Sequence, residues 1–189
     1  MGGDQLVTVL LGEGAERDCG DALRAGWEEQ YEPLLPEARP LPGAAELVPR
    51  AQEAGWRVVF ASSAPARHLE HYLDLLGASA LRESATTSDD VDQTKPKPDL
   101  IEVALQLAGT RQALLVGDSP HDVRAAARAG VATVGVLTGG YSAAELTEAG
   151  AVRTYDTPQD IVRSFHELAG LASVVQDSAS STRSTRSGS

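Results

Sequence analysis

Between Gly43 and about Gly170 the chain repeats one unit: a helix-like stretch closed by glycine, an apolar run, then a polar turn. The closing glycines are Gly55, Gly77, Gly109, Gly130 and Gly150, placed where a left-handed residue ends a helix without a Cβ penalty. Strand-like runs follow several of them, at Arg57-Val-Val-Phe-Ala61, Ala113-Leu-Leu-Val116, Val131-Ala-Thr-Val-Gly-Val136 and Ala151-Val-Arg-Thr-Tyr155. These runs are apolar with little alternation, as strands buried on both faces must be. Helices alternating with such strands predict an α/β fold built on a doubly wound parallel sheet.

The flanks read differently. Residues 1–38 are expected to form a separate helical piece, with a helix over Ala15–Tyr31 that places Leu23, Trp27 and Tyr31 on one stripe. Asp4–Leu11 reads as a short helix, although Leu6–Leu11 is the one stretch there with a strand's composition. Arg39-Pro-Leu-Pro-Gly43 is a stiff hinge into an α/β body spanning 39–172. Pro49 falls inside the next helical stretch, which it is expected to kink or shorten. Residues 173–189 are rich in Ser, Thr and Arg and poor in apolar side chains, which predicts a disordered tail.

Charge narrows the function. A net charge of -11 and a pI near 4.7 repel nucleic acid and anionic membrane, both of which select a basic footprint. Cys19 is the sole cysteine, so no internal disulfide or cysteine zinc site is available, and a cytoplasmic setting is expected. No stretch has the length and apolarity of a membrane span, and the first residues lack a signal peptide's pattern. Only Lys95 and Lys97 are lysines in a chain that otherwise uses arginine for its cations.

Open parallel sheets bind ligands beyond the carboxyl ends of their strands. The polar groups expected there are Ser62-Ser63, Gly117-Asp118-Ser119 and Thr138-Gly139-Gly140, with Lys95 in the loop Thr94-Lys-Pro-Lys-Pro-Asp99 within reach of the same edge. Such a set suits a phosphoryl group. Ser62 offers a hydroxyl, Lys95 a cation for the transferring oxygens, and Asp118 and Asp122 hard oxygen ligands for Mg²⁺. Each residue also has a plainer reading. Ser119-Pro-His-Asp122 has the spacing of a helix capping box, Ser62 and Ser63 can be turn hydroxyls, and Lys95 can be solvated. His68 and His71 are spaced for a metal but lack a third ligand, and they read as a solvated helix face. Gly117-Asp-Ser119 could also open a serine-esterase motif, but the Asp-x-x-His it needs is absent: Arg163 stands three residues before His166.

Taken together these motifs resemble the haloacid dehalogenase (HAD) superfamily, specifically its phosphoglycolate-phosphatase-like branch with a helical cap. Phe60-Ala-Ser-Ser63 is similar to the family's second motif, Lys95-Pro-Lys-Pro-Asp99 to its third, and Val116-Gly-Asp-Ser-Pro-His-Asp122 to its fourth. Leu137-Thr-Gly-Gly-Tyr-Ser142 is similar to a loop of the same branch. The resemblance implies that Ser62, Ser63 and Lys95 bind the phosphoryl group. It also implies that Asp118 holds Mg²⁺ with Asp122 in support, and that residues 1–38 are part of the cap.

The family's first motif, an apolar strand ending in Asp-x-Asp whose first Asp attacks phosphorus, has no match here: Asp4, Asp18 and Asp21 lie in helix-like segments. This implies an N-terminally shortened chain in which the family's central first strand is missing. The expected function is that of a Mg²⁺-dependent phosphatase of a small phosphorylated metabolite, phosphoglycolate-like or a sugar phosphate, inactive alone without its nucleophile. The alternative is a non-catalytic relative that binds phosphate or a partner.

Overall fold

The computed structural model describes residues 3–62, 64–87 and 100–171, so Ser63, Lys95 and the expected tail at 173–189 lie outside the described residues. The chain divides into two compact units, the first ending at Arg39 and the second beginning at Pro40.

The first unit is one long helix, α1 (Gly3–Tyr31), and a 3₁₀ turn over Glu32–Glu37. The two helices expected for this region run together at Gly12, whose φ of 85° and ψ of 167° interrupt the helical geometry. Trp27 and Tyr31, one turn apart, stack with ring centroids 4.6 Å apart, and Trp27 is half exposed. Arg24 bridges Glu16 and Asp21 along the same helix.

The second unit carries the predicted alternation: α2 (Ala44–Glu53), β1 (Phe60–Ala61), α3 (Ala66–Leu75), β2 (Ala85–Thr86), α4 (Leu100–Ala108), β3 (Leu114–Gly117), α5 (Pro120–Arg128), β4 (Ala132–Val136), α6 (Ala143–Ala149), β5 (Arg153–Tyr155) and α7 (Pro158–Arg163). All five predicted helix-ending glycines take left-handed φ values, between 64° and 112°. The helix α2 runs through Pro49 to Glu53, so that proline does not end it. One expectation fails at His68, which is 1% exposed: with Leu69 and Leu73 it forms the buried face of α3 rather than a solvated one.

Among the described residues every ladder is parallel, and the strands form two sheets. One is β1-β2 and the other is β3-β4-β5. Of the predicted run Arg57–Ala61, only Phe60 and Ala61 have ladder partners among the described residues. In the larger sheet β4 is buried at all five positions, as a central strand should be. Helices close the second unit on both faces. Trp56, Val58 and Leu114 pack with Val134, Ile161 and Phe165 on one side. On the other, Ala61 and Leu115 pack with Ile101, Leu105 and Ala126. No helix among the described residues is long and apolar enough to cross a membrane.

Candidate active site at the carboxyl ends of the strands

Asp118 follows the last residue of β3, and its carboxylate is met from the neighbouring strand. Thr138, two residues past β4, donates its hydroxyl to Asp118 Oδ2 at 3.3 Å. The next residue brings the two loops into closest approach. A Cβ on Gly139 would stand 2.3 Å from the Asp118 carbonyl oxygen and 2.8 Å from its Cγ. Only glycine fits that contact without displacing the Asp118 backbone. The Thr-Gly-Gly segment singled out by sequence therefore holds the aspartate in place.

Asp122 holds the same turn from the helix side. Its Oδ2 accepts from the backbone N–H groups of Asp118 and Ser119 at 3.3 and 3.1 Å, and from the Ser119 hydroxyl at 2.9 Å. In return the Asp122 N–H donates to Ser119 Oγ at 3.3 Å, completing a capping box at the start of α5. The plain reading and the functional reading of Asp122 thus describe one arrangement, because the cap fixes the peptide that carries Asp118. Gly117 completes the fit, since a Cβ there would lie 2.8 Å from Asp122 Cβ. Sequence inspection missed this role of Gly117, although its position between an apolar run and an aspartate is where close packing is needed.

Ser62 follows β1 and is fixed in a turn. Its N–H donates to the Thr86 carbonyl at 3.3 Å, continuing the β1-β2 ladder, and its Oγ accepts from the Ala64 N–H at 3.1 Å. The N-terminal approaches of β1 and β3 lie together, for Arg57 reaches to within 3.9 Å of where a Gly109 Cβ would stand, and both flank the same cleft. Ser62 and Asp118 therefore leave their strands at the other end. Ser63 and Lys95 belong to the expected constellation but lie outside the described residues.

The donors suit a hard cation. Mg²⁺ characteristically takes one or two carboxylates and completes its shell with water and phosphate oxygens. The Asp118 carboxylate, half-buried with the Thr138 hydroxyl beside it, offers that chemistry. Among the described residues no group of three or more His, Cys, Asp or Glu side chains could hold a metal.

Comparison with known proteins agrees with this geometry. The family of haloacid dehalogenase-like hydrolases matches residues 9–130, and a HAD-hydrolase-like model matches residues 93–168. The chain is 32% identical over 151 residues to a probable phosphoglycolate phosphatase of Pseudomonas putida, an alignment covering 75% of this chain and 59% of that protein. Its fold superposes on a hydrolase of Pseudomonas syringae with a TM-score of 0.79 and 30% identity, covering 88% of this chain and 78% of the other. A HAD family hydrolase of Deinococcus radiodurans R1, solved with bound phosphate and sodium, gives a TM-score of 0.64 at 26% identity, covering 76% and 66%. The chain spans between 51% and 62% of the length of the first curated relatives it matches. By the extent of the family match and by its fold, the chain belongs to the haloacid dehalogenase-like hydrolases.

Proposed function

We propose that this chain carries the phosphate- and metal-handling body of a Mg²⁺-dependent phosphatase acting on a small phosphomonoester, phosphoglycolate-like or a sugar phosphate. The observation that carries the reading is the Asp118 turn, held from one side by Thr138 and from the other by the Asp122 cap. Such bracing suits a carboxylate that must keep its position against a cation and a charged ligand. The phosphatase name of the Pseudomonas putida relative and the phosphate bound to the Deinococcus radiodurans protein support the ligand class. The acidic chain repels nucleic acid and anionic membrane, which favours a small metabolite as partner. With a single cysteine, it suits the cytoplasm.

In this reading Asp118 holds Mg²⁺, and Asp122 acts through the turn it caps. Bound Mg²⁺ offsets charge on the phosphoryl oxygens. The Ser62 hydroxyl, oriented by its turn, donates to a phosphoryl oxygen, and Lys95 supplies a cation to the same group. Residues 1–38 correspond, in this reading, to part of the family's helical cap. No apolar run in the 189 residues ends in Asp-x-Asp, so the chain has no evident nucleophile and is expected to bind phosphate with little or no turnover.

That same lack favours a second reading, a non-catalytic relative that uses the site only to bind. Incubation of the chain with an aryl phosphate and Mg²⁺ separates the two. Turnover abolished by Asp118→Ala or Lys95→Ala excludes the binding-only reading. Phosphate binding that is indifferent to both substitutions and to Mg²⁺ excludes the site itself.

A further inference from the structure

Just past the Asp118 turn, a cavity of about 240 Å³ opens between α5 and α6. Pro120, His121 and Arg124 line it from α5, Glu145 and Glu148 from α6, and Tyr141 from the loop that leads into α6. His121 and Arg124 stand three residues apart, as Glu145 and Glu148 do, so each pair shares one face of its helix. One wall thus carries a guanidinium and an imidazole, and the other carries two carboxylates.

The two walls do not neutralise each other. Among the described residues neither Arg124 nor Glu148 forms an ion pair, and neither the His121 imidazole nor the Tyr141 hydroxyl has a hydrogen-bond partner. Two carboxylates one turn apart repel, and no cation of the chain relieves them across the gap. The frame around these groups is nevertheless fixed. Val123 of α5 and Leu146 of α6 are buried together, and Tyr141 packs against them. Glu145 is pinned by its capping box, where Oε2 accepts from the Ser142 N–H at 2.9 Å and from its hydroxyl at 2.7 Å. A carboxylate held this way loses little freedom when a ligand arrives.

Size and charge together select the occupant. The volume lies below the range of about 300–1,000 Å³ typical of pockets for drug-sized ligands. It equals the liquid volume of about eight water molecules. A simple anion would meet the two glutamates, and a simple cation would meet Arg124. A molecule carrying both charges pairs with both walls.

We propose that this cavity binds a small zwitterion, a free amino acid of up to about eight non-hydrogen atoms. Its carboxylate pairs with Arg124 and accepts from His121, and its ammonium pairs with Glu145 and Glu148. The walls begin at the two loops that meet beside Asp118, residues 117–119 and 138–140, so the ligand bridges the helices that those loops open. The site stands on α5 and α6 and does not rest on the phosphatase reading.

The test titrates the full chain, without Mg²⁺ or phosphate, with glycine, β-alanine and γ-aminobutyrate, and follows amide shifts by proton–nitrogen NMR. The expected result is saturable shifts at Arg124, Tyr141 and Glu148 for at least one of the three, with a Kd of about 1 mM or tighter. Arg124→Gln and Glu148→Gln should each weaken that binding about fivefold, as loss of a half-exposed ion pair does. Arg124→Lys keeps the cation and should retain most of the affinity. The proposal is overturned if butyrate or butylammonium binds as tightly as the zwitterion, since one charge then suffices. It is equally overturned if none of the three saturates by about 50 mM, or if either glutamine variant binds like the wild type. Failure of phosphate binding at Asp118 leaves these readouts untouched.

Discussion

Thr138 donates to Asp118 across the ends of β4 and β3, and the same two loops touch so closely at Gly139 that no side chain fits between them. A carboxylate beside a hydroxyl is common. A carboxylate whose own backbone is wedged by a neighbouring glycine and capped by a second acid is positioned from three directions.

Gly139→Ala tests the wedge. Its Cβ would collide with the Asp118 carbonyl oxygen, so the loop must shift at a cost of about 1–3 kcal/mol. Urea unfolding should register that loss, and Mg²⁺ affinity should fall with it. Unchanged stability would mean that the two loops sit farther apart.

Ser119→Ala tests the cap. It removes the oxygen that accepts the Asp122 N–H and one of three donors to Asp122 Oδ2. Loss of a serine N-cap costs about 1 kcal/mol. A lowered urea midpoint at constant m-value is expected, with a smaller effect from Ser119→Asp, which restores a capping acceptor.

Acid should destabilise the second unit through identifiable carboxylates. The Ser142 backbone N–H and hydroxyl hold Glu145 below its usual range. The Thr157 hydroxyl, first among several contacts, does the same for Asp160, and hydrogen bonds from Arg111 do so for Glu102. Each folded-state value lies below the unfolded one. Their contribution is therefore complete above the ordinary carboxylate range and is lost as pH falls through the folded values. Thermal melts between pH 7 and pH 2.5 should show Tm falling below about pH 4.5, and Glu145→Gln with Asp160→Asn should flatten the slope. A slope unchanged in the double variant would contradict the assignment.

Leu146→Ala probes packing under the site. Leu146 is fully buried against Val123 and Ala151, which joins α6 to α5, the helix that the Ser119–Asp122 cap opens. A cavity there costs about 2–5 kcal/mol by chemical denaturation.

Much of this arrangement is legible in the sequence because local chemistry dictates it. Glycine closures and apolar runs locate the helices and strands of the second unit, and Ser119-Pro-His-Asp122 announces its cap by spacing alone. Thr157-Pro-Gln-Asp160 carries the same signal for α7, which closes in the same kind of box. Strand extent is less legible. An apolar run reports burial on two faces, but a ladder also needs a neighbour, and Arg57–Val59 have none among the described residues. The short strand Ala85–Thr86 has no apolar run to betray it, and His68 is buried by a helix face that its charge pattern disguises. The need for glycine at 139 comes from its contact with Asp118 on the neighbouring loop, which adjacent residues do not announce.

The most direct test of the site is the binding of inorganic phosphate to the chain with and without Mg²⁺, followed by phosphorus NMR line broadening in the wild type and in Asp118→Asn. The expected result is broadening that requires Mg²⁺ and disappears in Asp118→Asn at unchanged Tm. Broadening that persists without Mg²⁺, or that survives the substitution, would contradict the assignment of Asp118 as the metal-holding residue of a phosphate site.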